Sequence, residues 1–344
     1  MVGVRAAGRP RRSSRDGWDS GPRDFFILQR AFEAEAYARV PRIAAPTPQV
    51  ATNLLRRGTP LISWEALSLD WPLFQQWLRE ILATFSRCLP RLNRQIRSPP
   101  IISDSVEQIR KAVRAVYLGC ALPRSVAGNK AEREVYRLAI QFALRLFLCP
   151  QRANLSPLVK EELWTKAICP VCGGLPDIAL LNQEQGARWL VCCRCDTRWL
   201  FKMEGCPYCS CTEPASLSYL TPEKERCRRY LCFKCSYCYC TDQTGSYGTD
   251  PEKEICRLYL CAECHHYLRT VNLNQPESQL PLYLLRWQTF KLDRQAHPRG
   301  YRSPTGMSSL FDLTVRTGQA AGGLPLRLGT HRLDVGNALP GAMW

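Results

Sequence analysis

Residues 168–176 read Ile-Cys-Pro-Val-Cys-Gly-Gly-Leu-Pro, and residues 188–199 read Arg-Trp-Leu-Val-Cys-Cys-Arg-Cys-Asp-Thr-Arg-Trp. Each stretch holds a Cys-x-x-Cys pair, Cys169/Cys172 and Cys192/Cys195, and 19 residues lie between the pairs. Two thiolates at this spacing can face one ion, because the turn between them directs its amide protons at the sulfurs; two such turns complete a tetrahedron. The intervening span is that of one hairpin and its return. Gly173 and Gly174 free the backbone of Cβ where it folds around a metal. In the second stretch Cys192 and Cys195 keep the two-residue spacing, which leaves Cys193 as a spare thiol facing away. The pattern is too specific for a chance cluster of buried cysteines.

Outward from this quartet, 16 of the 19 cysteines lie between Cys169 and Cys264, so they belong to one module. Three further Cys-x-x-Cys pairs follow: Cys206/Cys209, Cys232/Cys235 and Cys261/Cys264. Residues 222–235 recur at 251–264 with ten of fourteen positions identical, which reads as duplication of one half-site. A second four-thiolate site can therefore join Cys206 and Cys209 to either copy, and one pair is left over. The surplus pair sits in Cys232-x-x-Cys235-x-x-Cys238-x-Cys240. That spacing is close to an iron–sulfur ligand run but lacks the later Cys-Pro, so a third simple metal site, a cluster and spare thiols are its three readings. His265 and His266 follow Cys264 directly and read as surface residues.

Disulfide scaffolds need an oxidising compartment. Residues 1–30 hold no apolar run of seven and begin with a series of arginines, so the expectation is a cytoplasmic protein with reduced thiols. Arg11 and Arg12 form a twin-arginine pair, but Ser-Ser-Arg-Asp-Gly-Trp follows where an export signal has an apolar segment. No 18-residue apolar stretch exists, which excludes a spanning helix. The net charge of +17 is unevenly placed: residues 1–160 carry +14, residues 161–275 carry −1 and residues 276–344 carry +4. A ribbon that grips phosphates should carry the excess on itself, so this distribution argues against a nucleic-acid partner.

The first 47 residues read as a basic mobile arm with a short helix near Phe25 to Tyr37. From Asp70, apolar residues recur at three and four positions from Trp71 to Phe85, behind an Asp70 cap and Pro72 in the first turn. Ser105 with Gln108, and Asn129 with Glu132, are capping-box patterns that open two more amphipathic helices, the last stopping at Pro150. Residues 48–165 are thus a helical domain whose apolar stripes are core. Between Ile168 and Val271 short alternating runs such as 188–191 and 198–201 abut the cysteine pairs and predict strands of small hairpins. The expected organisation is α+β: the arm, the helical domain, a metal-binding domain at 166–275, a C-terminal helix within 276–305, and a disordered tail at 306–344.

The cysteine module resembles the formate dehydrogenase accessory proteins of the FdhE family. The likeness lies in the two stretches quoted first, in Gly-Cys-Pro-Tyr-Cys (205–209), in Leu-Cys-Ala-Glu-Cys-His-His-Tyr-Leu-Arg-Thr-Val (260–271), and more weakly in Arg-Gly-Tyr-Arg-Ser-Pro (299–304) and Arg-Arg-Gly-Thr-Pro-Leu (56–61). The resemblance implies tandem rubredoxin-like, zinc-ribbon sites holding two iron or zinc ions. One set is Cys169, Cys172, Cys192 and Cys195; the other is Cys206, Cys209, Cys261 and Cys264, with Tyr-Leu-Arg after Cys264 favouring the downstream copy. Cys232 and Cys235 are candidates for a third site, and the 29-residue duplication is a departure from the family pattern. The implied role is to bind the catalytic subunit of a molybdenum- or tungsten-dependent formate dehydrogenase and support its maturation. No nucleophile with a neighbouring base, phosphate loop or paired carboxylates stands out, so no catalytic residue is named and no enzyme activity is expected. The competing readings are a zinc-ribbon nucleic-acid-binding protein and a rubredoxin-type electron carrier.

Overall fold

The computed structural model describes residues 20–88, 105–123, 129–182, 186–220, 229–231, 239–241, 256–273, 281–282, 285–286 and 290–305. Among the described residues, five helices longer than two turns build the N-terminal half: α1 (Ser20–Arg39), α2 (Pro48–Arg56), α3 (Trp71–Cys88), α4 (Val106–Tyr117) and α5 (Lys130–Leu148). Their starts follow the local chemistry of orphan amides. The Asp70 carboxylate accepts from the Leu73 amide at 3.0 Å, and the Ser105 hydroxyl from the Gln108 amide at 3.4 Å. Asn129 and Glu132 exchange both bonds of a capping box at 2.9 Å, satisfying donors that a bare helix end leaves open.

The stripes that these caps introduce do meet in a core. Phe74, Trp77 and Leu78 of α3 are wholly buried, as are Leu138, Ala139 and Leu144 of α5. Trp77 and Phe147 pack edge to face at 5.2 Å between ring centres, and Phe85 meets Phe142 at 5.7 Å. Each such apolar side chain contributes about 1.5–3 kcal/mol when fully buried.

Residues 20–47, expected to be part of a basic arm with a short helix near Phe25 to Tyr37, carry helix α1. Helix α1 lies against α3 and α5 with Ala36 and Val40 buried. Its partners are tertiary: Arg145 donates to the Glu33 carboxylate at 2.7 Å, the Tyr37 hydroxyl to the Cys149 carbonyl at 3.1 Å, and the Ile43 amide to the Gln151 side chain at 2.7 Å. The remainder of the expected arm, 1–19, and the expected tail, 306–344, lie outside the described residues.

The cysteine half forms one six-stranded sheet where small hairpins were expected. Its strands are β1 (Pro176–Asn182), β2 (Ala187–Cys192), β3 (Arg198–Phe201), β4 (Leu217–Leu220), β7 (Cys256–Cys261) and β8 (His266–Asn272), in the spatial order β3-β2-β1-β8-β7-β4. Two further strands, β5 (Arg229–Leu231) and β6 (Tyr239–Thr241), make a separate hairpin. The order shows a tandem repeat. Each unit runs as cysteine turn, strand, strand, cysteine turn, strand, so β4, β7 and β8 repeat β1, β2 and β3, and the units lie side by side in the same sense. Within a unit all pairings are antiparallel; the seam is parallel, Ile178–Leu181 against Arg269–Asn272.

Alternation along the strands sends side chains to two cores. Ala179, Leu190, Trp199 and Leu268 join the helical half in one cluster, together with Cys169, Cys172, Cys192 and Cys195. Ile178, Leu180, Val191, Leu258 and Val271 face the other way and are covered by Leu285 and by Leu292 and Ala296, the last two on α6 (Phe290–Ala296). The expected C-terminal helix is thus represented by α6 and a following helical turn, His297–Arg299. Among the described residues, no helix is long and apolar enough to cross a membrane.

Candidate metal centres

Four turns carry the chemistry, and they share one backbone design. The residue after the second cysteine takes a left-handed conformation in each: Gly173 (φ 70°), Asp196 (φ 58°), Ser210 (φ 62°) and His265 (φ 54°). Its amide donates to the carbonyl of the first cysteine, from Gly173 to Cys169 at 2.9 Å, Asp196 to Cys192 at 3.3 Å, Ser210 to Cys206 at 2.9 Å and His265 to Cys261 at 2.9 Å. This curl points the inner amides inward, and those of Arg194 and Tyr208 donate to the sulfurs of Cys192 and Cys206 at 3.3 and 3.4 Å. Only glycine adopts this backbone freely, and asparagine and aspartate are the usual substitutes. Ser210 and His265 hold it at some cost.

The sheet then brings the turns together two by two. The sulfurs of Cys169, Cys172, Cys192 and Cys195 lie within 4.8 Å of one another, as do those of Cys206, Cys209, Cys261 and Cys264. In the first set Cys169 and Cys195 are 3.6 Å apart, and Cys172 lies 3.5 Å from both Cys192 and Cys195. In the second, Cys206–Cys264 and Cys209–Cys261 are each 3.6 Å. A tetrahedron with metal–sulfur bonds of about 2.3 Å has edges of about 3.8 Å, so both sets could hold a thiophilic ion without rearrangement. The backbone fits as well: a Cβ on Gly174 would stand 2.9 Å from the Cys192 sulfur and 3.3 Å from that of Cys172. Four thiolates suit zinc and iron alike.

Cys193 is half-buried and outside the first set, while Cys232 and Cys235 lie outside the described residues. His265 is exposed and His266 half-buried, the former near the Tyr301 ring and the latter near Tyr208. Neither belongs to a ligand cluster.

The first centre is locked into the helical half by groups that the motif does not reveal. The Leu61 and Ile62 amides donate to the Pro170 and Val171 carbonyls at 2.9 and 2.8 Å. From the second turn, the Arg194 guanidinium donates to the Tyr117 and Val116 carbonyls, both at 2.9 Å, and so closes the C-terminal end of α4. Asp196 carries a buried ionic cluster. Arg145 of α5 reaches the Asp196 carboxylate and the Cys193 carbonyl, Arg152 the Asp196 backbone carbonyl at 3.2 Å, and Arg286 the Asp196 carboxylate at 2.8 Å. Arg286 also grips Asp177 of β1 at 2.7 and 3.0 Å. Burial alone would raise the Asp196 carboxyl, but the guanidinium groups of Arg145 and Arg286 outweigh it and hold the group well below the usual carboxylate range. The Thr197 hydroxyl lies 3.1 Å from the Cys195 sulfur.

A family model for the FdhE central domain matches residues 168–202, the whole first unit of the sheet. Among curated relatives, an FdhE homologue of Aquifex aeolicus is 35% identical over 85 residues, covering 23% of this chain and 30% of that protein. One of Edwardsiella ictaluri is 24% identical over 180 residues, 52% of this chain and 54% of its own, and one of Haemophilus ducreyi is 26% identical over 150 residues, 42% and 46%. The matched stretches thus span about a third to a half of those relatives. The crystal structure of the FdhE protein from Pseudomonas aeruginosa shares the fold, with a TM-score of 0.52 at 18% identity over 81% of this chain and 85% of that one. The matched first centre, the recurring relatives and the shared fold agree in likening this chain to the FdhE proteins.

Proposed function

We propose that the chain is a metal-binding accessory protein that docks on the catalytic subunit of a molybdenum- or tungsten-dependent formate dehydrogenase and supports its maturation, without turning over formate itself. In this reading Cys169, Cys172, Cys192 and Cys195 hold one ion and Cys206, Cys209, Cys261 and Cys264 a second, iron or zinc. The observation that carries it is the pair of sulfur tetrads on four matched turns of one sheet, in a chain whose residues 168–202 match the FdhE central domain. Each ion would cross-link two turns distant in sequence, supplying folding free energy and a rigid surface. Ordered surfaces lose little entropy on docking, which suits a protein that works by binding.

The test is an affinity capture from native extract with mass spectrometry, joined to deletion of the gene. The expected result is retention of the formate dehydrogenase catalytic polypeptide, and a deletion strain in which that polypeptide is present but poorly active. Normal formate dehydrogenase activity in the deletion strain rejects the proposal.

A further inference from the structure

The two tetrads are alike in sulfur spacing and turn geometry, yet opposite in surroundings. In the first, Cys169, Cys192 and Cys195 are fully buried and Cys172 is 1% exposed. The helical half covers them, and the turns are tied by Arg194 to α4, by Arg145 to α5 and by the Leu61–Ile62 backbone. In the second, Cys206 and Cys261 are buried, Cys264 is half-buried and Cys209 is exposed. The third turn sits on the crossing segment between β3 and β4, whose residues 202–204, 209–210 and 212–215 are all exposed. His265, in the position where Asp196 anchors the first centre, is itself exposed. Four protein thiolates fill every vertex of such a site, so an outside donor can reach the ion only by displacing a ligand, and only where that ligand faces solvent.

We infer that the second centre is the exchangeable one: its ion can accept a soft or borderline donor from outside, a thiolate or an aromatic nitrogen, at the vertex held by Cys209. The inference rests on the proposal that both tetrads hold ions. The step is a ligand substitution without change of oxidation state. The incoming donor contributes an electron pair to the metal as the Cys209 sulfur–metal bond opens, and the released thiolate takes a proton from water. The first ion is shielded from this route, because Cys169, Cys172, Cys192 and Cys195 are all buried in the cluster joined to the helical half. The protein would then carry one ion that holds it together and one that it can hand over or use to grasp a partner's donor group.

The experiment uses the full chain loaded with zinc alone and challenged with the chromogenic chelator 4-(2-pyridylazo)resorcinol. Two equal phases are expected, with rates at least about tenfold apart, the lower end of what supporting groups around a metal contribute. Alkylation with iodoacetamide after the first phase should label Cys206, Cys209, Cys261 and Cys264 and spare Cys169, Cys172, Cys192 and Cys195. Cys209→Ala should speed release of the second ion, or lose that ion before the challenge, and leave the slow phase unchanged. A single rate for both ions, labelling of the first tetrad before the second, or a fast phase of wild-type rate and amplitude in Cys209→Ala overturns the inference. A chain that binds no zinc at the outset overturns the metal proposal itself, and this inference with it.

Discussion

Arg145 and Asp196 meet across the seam between the helical half and the first cysteine tetrad: the guanidinium grips both oxygens of the carboxylate, one of them at 2.9 Å. Asp196 follows Cys195 directly, so α5 is tied to the metal turn through one side chain. Arg145→Met leaves Asp196 and Glu33 short of a buried partner, and loss of one member of a buried pair costs about 3–5 kcal/mol. Chemical denaturation of the zinc-loaded protein should show a loss of this size, with the ion content unchanged under native conditions.

The same pair sets an acid limit. A carboxyl held below its unfolded value contributes stability that is present above the unfolded pKa, near 4, and is lost as pH falls toward the folded value. Stability of the wild type should therefore fall below about pH 4 more steeply than that of Asp196→Asn, which keeps the left-handed turn but has no proton to gain. Equal slopes for the two proteins would show that Asp196 is not the titrating group.

Ligand choice is tested one cysteine at a time. The Cys195 sulfur faces Cys169 and Cys172, whereas that of Cys193 lies outside the tetrad. Cys169→Ser and Cys195→Ser should each lose one of two ions and expose the sheet around β1 and β2 to hydrogen exchange. Cys193→Ser should keep both ions by elemental analysis. Equal metal loss in Cys193→Ser and Cys195→Ser would mean that the tetrad is drawn from the wrong thiols.

Gly174 offers a steric test. Alanine there places a methyl group 2.9 Å from the Cys192 sulfur and 3.1 Å from the Arg194 side chain, contacts that something must yield to relieve. Overpacking of this kind costs about 1–3 kcal/mol, and the first ion should dissociate faster. Gly186→Asn, at a left-handed position facing open space, should leave the ion's release rate unchanged.

On the opposite face, Arg269 of β8 pairs with Asp293 of α6, both almost fully buried. Asp293→Ala strands a guanidinium beneath the C-terminal helix at a cost of about 3–5 kcal/mol. Limited proteolysis should then cut near α6 before any cut in the helical half.

These elements differ in how far the sequence discloses them. The caps at Asp70, Ser105 and Asn129 are local, so they can be read from three or four neighbouring residues, and the spacing of Cys169, Cys172, Cys192 and Cys195 is equally local. Helix α1 is disclosed only in part, as the short helix near Phe25 to Tyr37, because the anchors of its segment at Arg145, Cys149 and Gln151 stand more than a hundred residues away. The single sheet stayed hidden for the same reason: the β1–β8 seam joins residues about ninety apart, and no hydrophobic pattern announces a parallel neighbour. Arg145, Arg194 and Arg286 are scattered basic residues in the sequence and become a support only when the fold gathers them. Asp196 alone carried a signal, an aspartate directly after a ligand pair, where a left-handed residue is wanted.

The parallel seam also bears on how the chain can be divided. Residues 168–202 contain a complete tetrad and three strands, yet β1 lies inside the sheet only because β8 covers its far side. A fragment ending after β3 would present the Ile178–Leu181 backbone, flanked by apolar side chains on both faces, as an open edge. Such edges recruit other strands and lead to aggregation. The repeat that doubles the metal sites is therefore also a chaperoning arrangement within the molecule, in which the later unit shields the earlier one, and during synthesis the first unit must wait for residues 266–272 before it is safe from its own kind.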